Sequence, residues 1–265
     1  MSTNELLVER EGFVATLIIN RPEKRNTLNP LILLKFATYL DDFAKNDEVR
    51  AVIIRGQGDK AFSSGYDITE IPTDVKEEFK ELLEYKDPLE IGMGAIENFP
   101  YPVIAMIDGY ALGMGCDLAM TCDIRIASDT SRMGIPVSKL GILYPPKSVR
   151  KFINVIGLAN TKEIIFTGRN CTMDKAKEMG MVNYVVPKAE LHEFTYAMAE
   201  EIAGNAPLAI KGHKYIFNKL LYYQALYPED LAKIQRMQAD SLLSEDLKEG
   251  TTAFFEKRKP VFKGR

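Results

Sequence analysis

A chain of 265 residues, 46% hydrophobic and 27% charged, can bury a large core and is too apolar for intrinsic disorder. Its 34 basic and 37 acidic residues give a formal charge of −3, which argues against a general nucleic-acid binder. Three cysteines at no metal-ligand spacing, a polar N-terminus and no apolar run of about 20 residues imply a reduced, cytoplasmic protein that does not enter a membrane.

Residues 13–20 (FVATLIIN) are rich in β-branched side chains and predict a strand. RPEKRNTLNP breaks it into a loop. Leu33, Phe36, Leu40 and Phe43 recur at helical spacing and predict a helix over 30–46. VRAVIIRG (49–56) reads as a buried strand, and GDKAFSSGYDI as a Gly/Ser loop running into a helix start. The charged stretch 74–98 predicts helices around a break at DPL. PVIAMIDG (102–109) is a further strand, GMGCDLAMTCD enters a helix, and IRIAS (124–128) is again a strand. GLANTKEIIFTG and TMDKAKEMGMV read as helical, NYVVP (183–187) as a strand, and the chain beyond about residue 189 as helical. Strands alternating with helices and then helices alone predict an α/β core followed by a helical C-terminal part.

Two stretches share one grammar. In AFSSGYDI (61–68) and DGYALGMGCDLAM (108–120) a strand runs through a glycine-bearing turn into a helix. A helix start leaves backbone N–H groups unpaired and partly positive, and glycine lets a ligand approach the backbone closely. Two such turns facing each other would form an oxyanion hole, where loss of one donor costs roughly 3–4 kcal/mol of transition-state stabilisation. Two plain tight turns remain the alternative. Neither stretch fits a dinucleotide or P-loop fingerprint. The two histidines, His192 and His213, lie in helix-like segments with no acid or nucleophile pattern, which argues against a Ser-His-Asp triad or a zinc site.

RPEKRNTLN (21–29), AFSSGYDI (61–68), IDGYALGMGCDLAMTCDIRIAS (107–128), LGILYP (140–145) and AFFEKRKPVF (253–262) together resemble the crotonase (enoyl-CoA hydratase/isomerase) superfamily, in its order and over nearly the whole chain. The resemblance implies a spiral of ββα units over residues 1–200, with the acyl-CoA site. It implies a helical oligomerisation region over 201–265 that builds a homotrimer or a dimer of trimers. It also implies an acyl-CoA thioester substrate and no metal or other cofactor, coenzyme A being part of the substrate. The two oxyanion donors would be the backbone N–H groups of Tyr66, after Gly65, and of Met114, after Gly113. The backbone around Arg25, Asn26 and Leu28 would lie near the adenine and pantetheine. Lys24 and Lys257 would be phosphate contacts, with solvated surface charge as the alternative.

Hydratases of this superfamily handle water with two glutamates. Their positions fall here on Asp117, one methylene shorter, and on Val137, which cannot transfer a proton. Tyr144, Val137, the DPL before the FPYPVIAMIDG strand and the tail SEDLKEGTTAFFEKRKPVFKG look like the methylmalonyl-CoA decarboxylase branch. There, loss of CO₂ would leave an enolate on the thioester oxygen. Tyr144 would orient the departing carboxylate, and Val137, Ile142 and Leu143 would line an apolar pocket. Decarboxylation of methylmalonyl-CoA or a similar malonyl-type thioester is therefore the first expectation. Enoyl-CoA hydration or isomerisation through Asp117 is the second, and a non-catalytic acyl-CoA-binding protein the third. Tyr144 as a loop residue bonded to backbone, and Asp117 as a helix cap, stay open.

Overall fold

The computed structural model describes residues 4–67, 87–140, 144–222, 228–258 and 260–265. Six consecutive buried residues form β2 (Val14–Ile19), the signature of a strand covered on both faces. It pairs antiparallel with β1 (Leu6–Glu11), whose outer half is exposed. β2 also pairs in parallel with β3 (Ala51–Gly56), and the ladder continues through β5 (Val103–Ile107) and β7 (Ile124–Ser128) to β10 (Tyr184–Val186). A second, smaller sheet contains β4 (Ala61–Ser63), β6 (Tyr110–Leu112) and β8 (Arg132–Gly134) in parallel, closed by antiparallel β9 (Asn170–Thr172). The chain visits the large sheet and then the small one on each pass: β3 then β4, β5 then β6, β7 then β8. This is the expected spiral.

Helices complete each pass. Asn29 caps α1 (Pro30–Ala44) by accepting the Ile32 N–H at 2.9 Å, with Pro30 at the first helical position. Its buried side chains include Leu33, Phe36, Leu40 and Phe43, as their spacing predicts. α2 (Pro88–Asn98) packs on α1, and its cap is Asp87. α3 (Met114–Thr121) follows β6, α4 (Pro146–Thr167) follows β8, and α5 (Met173–Glu178) joins β9 to β10. One face of the large sheet packs on the main core with α1 and α2; the other packs on α6 (Leu191–Ala203) through Val14, Ile53, Ile104 and Ile126. α7 (Pro207–Tyr222) is pinned by buried Lys214, which donates to Tyr101 O at 2.9 Å and to Asp123 Oδ2 at 2.7 Å. α8 (Pro228–Leu243) and α9 (Glu245–Glu256) follow.

The structure adds β1 and the strands of the small sheet to the sequence reading. Each small-sheet strand has three residues, too few for any period to show. The expected helix over 74–98 is found from Pro88; residues 74–86 lie outside the described residues. His192 stacks on Tyr196 and His213 on Phe217, each one turn along its own helix, and both histidines are exposed. The three cysteines are free and buried. No described helix is long and apolar enough to cross a membrane.

Two glycines set how closely the spiral passes approach. A Cβ on Gly109 would lie 2.2 Å from Lys60 O, and one on Gly115 would lie 2.2 Å from Ser63 O. Backbone cannot yield as the end of a side chain can. Gly115→Ala is therefore expected to lower the free energy of unfolding by about 1–3 kcal/mol. Denaturant titration checks this, and an unchanged midpoint would show that the two turns are not in hard contact.

Candidate functional site

The two glycine-bearing turns meet. Gly65 has φ +113 and Gly113 has φ +52, conformations that L side chains rarely adopt. A Cβ on Gly65 would lie 3.1 Å from Leu112 O and 3.5 Å from Met114 N, so the first turn sits against the start of α3. Gly65 O accepts Leu28 N–H at 2.8 Å, and Leu28 O accepts Asp67 N–H at 2.8 Å. A trans peptide directs its N–H opposite to its carbonyl, so the Tyr66 N–H points away from Leu28. On the other turn, Gly113 N–H donates to Gly134 O at 2.9 Å and Gly113 O accepts the Asp117 N–H at 3.0 Å. Met114 therefore opens α3, where the amide has no intrahelical acceptor and the helix dipole is positive. The Met114 and Tyr66 side chains are partly buried and pack against the main core.

The loop at 21–29 is fastened beside the first turn. Arg25 and Asn26 both take positive φ, and Arg25 O accepts Ser64 N–H at 3.0 Å. The buried Asn26 side chain accepts the Arg21 N–H and donates to Gln57 O and Ala61 O. It holds the loop, so only its backbone remains for a ligand. Leu28 is fully buried and joins this loop to Tyr66 through a parallel bridge. Lys24 is half exposed and pairs with Asp67 at 3.0 Å, where Arg21 also binds. Lys257 is exposed, has φ +53, and forms no hydrogen bond or ion pair among the described residues.

Asp117 lies one turn into α3 and is 1% exposed. Its Oδ2 accepts the Ser148 hydroxyl at 2.7 Å, and its Oδ1 pairs with Lys151 Nζ at 3.0 Å. Both partners are α4 side chains, so Asp117 ties two helices together and does not cap backbone amides. Lys151 also donates to Thr121 Oγ1 and stands 3.8 Å from Glu97 Oε1, while Lys147 pairs with Glu97 Oε2 at 3.1 Å. Ser148, Lys151 and Glu97 were not candidates from sequence. The available signal was the Ser148/Lys151 spacing of three, which puts both on one helical face directly after Tyr144.

Tyr144 is 6% exposed and packs edge-on to Phe152. Its hydroxyl is buried and makes no well-formed hydrogen bond among the described residues, although Asp117 and Ser148 stand close enough to act on it. The loop-tyrosine alternative, a phenol bonded to backbone, is thus not what the described residues present. Burial first, then the negative Asp117 beside it, push its pKa well above the ordinary tyrosine value and keep the phenol neutral. Val137 is buried in a short 3₁₀ turn, Pro136–Leu140. Ile142 and Leu143 lie outside the described residues. The structure thus brings together Gly65, Tyr66, Gly113 and Met114 at one end of α3, and Asp117 with Tyr144 one turn on.

Residues 9–265 match the family model described as enoyl-CoA hydratase/isomerase. The chain is 36% identical over 259 residues to a short-chain-enoyl-CoA hydratase of Clostridium acetobutylicum, covering 98% of this chain and 97% of that protein. It is 34% identical over 252 residues to methylmalonyl-CoA decarboxylase of Escherichia coli, covering 95% of each. The crystal structure of an enoyl-CoA hydratase from Bacillus anthracis superposes with TM-score 0.87 at 31% identity, covering 99% of this chain and 100% of that one.

A buried hydroxyl without a well-formed hydrogen bond contributes little to stability and carries a desolvation cost. Tyr144→Phe is therefore expected to leave the free energy of unfolding at neutral pH unchanged or raised. A fall of more than about 1 kcal/mol in denaturant titration would show that the hydroxyl holds structure.

Proposed function

The chain belongs to the enoyl-CoA hydratase/isomerase family, and from that premise we propose an acyl-CoA enzyme whose enolate oxygen is held by the backbone N–H groups of Tyr66 and Met114. The reading rests on the junction of the two turns, where Gly65 lies against the first amide of α3. A helix start favours negative charge on a nearby oxygen, and preorganised donors act on charge as it develops. A thioester carbonyl seated there becomes more acidic at Cα and a better acceptor of electrons from a breaking Cα–C bond.

The finer reading is decarboxylation of a malonyl-type thioester such as methylmalonyl-CoA. One observation carries it: a neutral, buried phenol without a described partner stands at 144, while the second acid of the hydratase pattern is the apolar Val137. The Cα–carboxylate bond breaks, its electron pair becomes the enolate, CO₂ departs, and a proton ultimately from water is added at Cα. Tyr144 orients the carboxylate by a hydrogen bond and, being neutral, does not cancel the charge that must be lost. The name of the Escherichia coli relative accords with this reading.

A second reading, hydration or isomerisation of an enoyl-CoA, is favoured by the names of the Clostridium relative and the Bacillus structure. It would employ Asp117, the one hydratase acid position that retains a carboxylate. The lack of an acid at 137 and the ion pairing of Asp117 stand against it.

Mass-spectrometric product analysis separates the two. Purified protein incubated with methylmalonyl-CoA is expected to give propionyl-CoA, and crotonyl-CoA is expected to return unchanged. Tyr144→Phe is expected to lower decarboxylation about a hundredfold, the scale of a misplaced reacting group, with acyl-CoA affinity retained. A gain of one water on crotonyl-CoA alone, abolished by Asp117→Asn, would overturn the decarboxylase reading. Acyl-CoA binding without turnover of either substrate would make the protein a non-catalytic binder.

A further inference from the structure

Behind α3, on the side away from the two turns, is a cavity of about 380 Å³ bordered by Glu97, Thr121, Lys151, His213, Lys214 and Asn218. Lys151 forms part of its wall and reaches Asp117 from there. We propose that Lys151 is a positioning residue, holding the Asp117 carboxylate fixed beside Tyr144, and that the cavity behind it admits small organic cations able to replace its ammonium. The proposal deepens the enolate reading and rests on it for its catalytic consequence.

The geometry leaves the ammonium little freedom. Lys151 Nζ is 3.0 Å from Asp117 Oδ1 and donates to Thr121 Oγ1. That hydroxyl must accept, because it donates its own proton to Asp117 O at 2.7 Å. Glu97 Oε1 stands 3.8 Å behind and forms no hydrogen bond among the described residues. A carboxylate lies on each side of the ammonium, and the nearer one receives its bond. Asp117 and Lys151 side chains are 2% and 12% exposed, so water does little to screen the pair.

Removing one partner of a buried ion pair leaves the other without its fixed contact. An Asp117 freed from Lys151 can turn from Ser148 toward the Tyr144 hydroxyl, and the phenol would lose its orientation toward substrate. The groups that face this carboxylate come from several elements. They are Cys116 on α3, Tyr144 ahead of α4, Ser148, Lys151 and Lys147 on α4, and Glu97 on α2, with His213 and Lys214 of α7 across the cavity. Lys147 and Lys214 are engaged with Glu97 and Asp123, which leaves Lys151 as the cation bonded to Asp117.

Carbon-13 carboxyl NMR at one neutral pH reads the surroundings of Asp117 directly, with the signal assigned by its loss in Asp117→Asn. The carboxyl shift is expected to move in Lys151→Met and to return toward wild type in Lys151→Arg. In Lys151→Ala, added propylammonium is expected to enter the enlarged cavity and restore the wild-type shift. On the substrate that wild type turns over, kcat is expected to fall about a hundredfold in Lys151→Met, with KM little changed and Lys151→Arg recovering most of it. An unmoved carboxyl signal in Lys151→Met would overturn the proposal. So would a moved signal with kcat intact, or a failure of propylammonium to act on Lys151→Ala. A wild type inert toward malonyl- and enoyl-thioesters alike would overturn the enolate reading instead, with the NMR still deciding whether Lys151 holds Asp117 in place.

Discussion

Backbone packed against backbone is the constraint on which the site depends. The first turn can lie on the start of α3 only because residue 115 has no Cβ to strike Ser63 O and residue 65 none to crowd Leu112 O. That approach fixes the register of α3 against β4 and so the direction of the Met114 amide. The bridge from Leu28 fixes the Tyr66 amide from the other side. Once α3 is placed, Asp117 must point toward α4, one turn along, and the Ser148 and Lys151 contacts follow.

The charges form a gradient along α3. Its first turn offers partial positive charge where an enolate oxygen would develop. Asp117, close by, would repel that oxygen more strongly if it stood alone; the pairing with Lys151 and the bond from Ser148 offset part of its charge. Between the two ends Tyr144 stays neutral, because burial and the neighbouring carboxylate both oppose its ionisation. With a thioester oxygen at the first place and an α-carboxylate at the second, as proposed, such a site would favour moving charge from the second to the first. The chemistry of a malonyl-type decarboxylation requires that direction.

Most of this was legible in the sequence wherever a period or a glycine carried the information. Leu33, Phe36, Leu40 and Phe43 announced α1 by spacing, and Val- and Ile-bearing runs announced β2, β3, β5 and β7. Gly65 and Gly113 marked both turns, and Gly65 at φ +113 and Gly113 at φ +52 with ψ −120 hold conformations that L side chains rarely adopt. The small sheet was not legible, since three-residue strands leave no pattern. Nor were the partners of Asp117, because an ion pair between α3 and α4 depends on how two helices 34 residues apart in sequence come to face each other. The expectation at Asn26 concerned its backbone; its side chain is spent on the loop itself. Sequence marks that position; only the fold shows which way its side chain turns.

The central claim is that the amides of Tyr66 and Met114 grip one thioester oxygen. Raman difference spectroscopy of propionyl-CoA carrying ¹³C at the thioester carbonyl tests it without turnover, since a saturated acyl group has no carboxylate to lose and no double bond to hydrate. Two donors on the oxygen weaken the C=O bond, so the labelled stretch should move to lower frequency on binding, and Gly115→Ala should diminish the shift. A bound thioester whose carbonyl vibrates as it does in water would contradict the account.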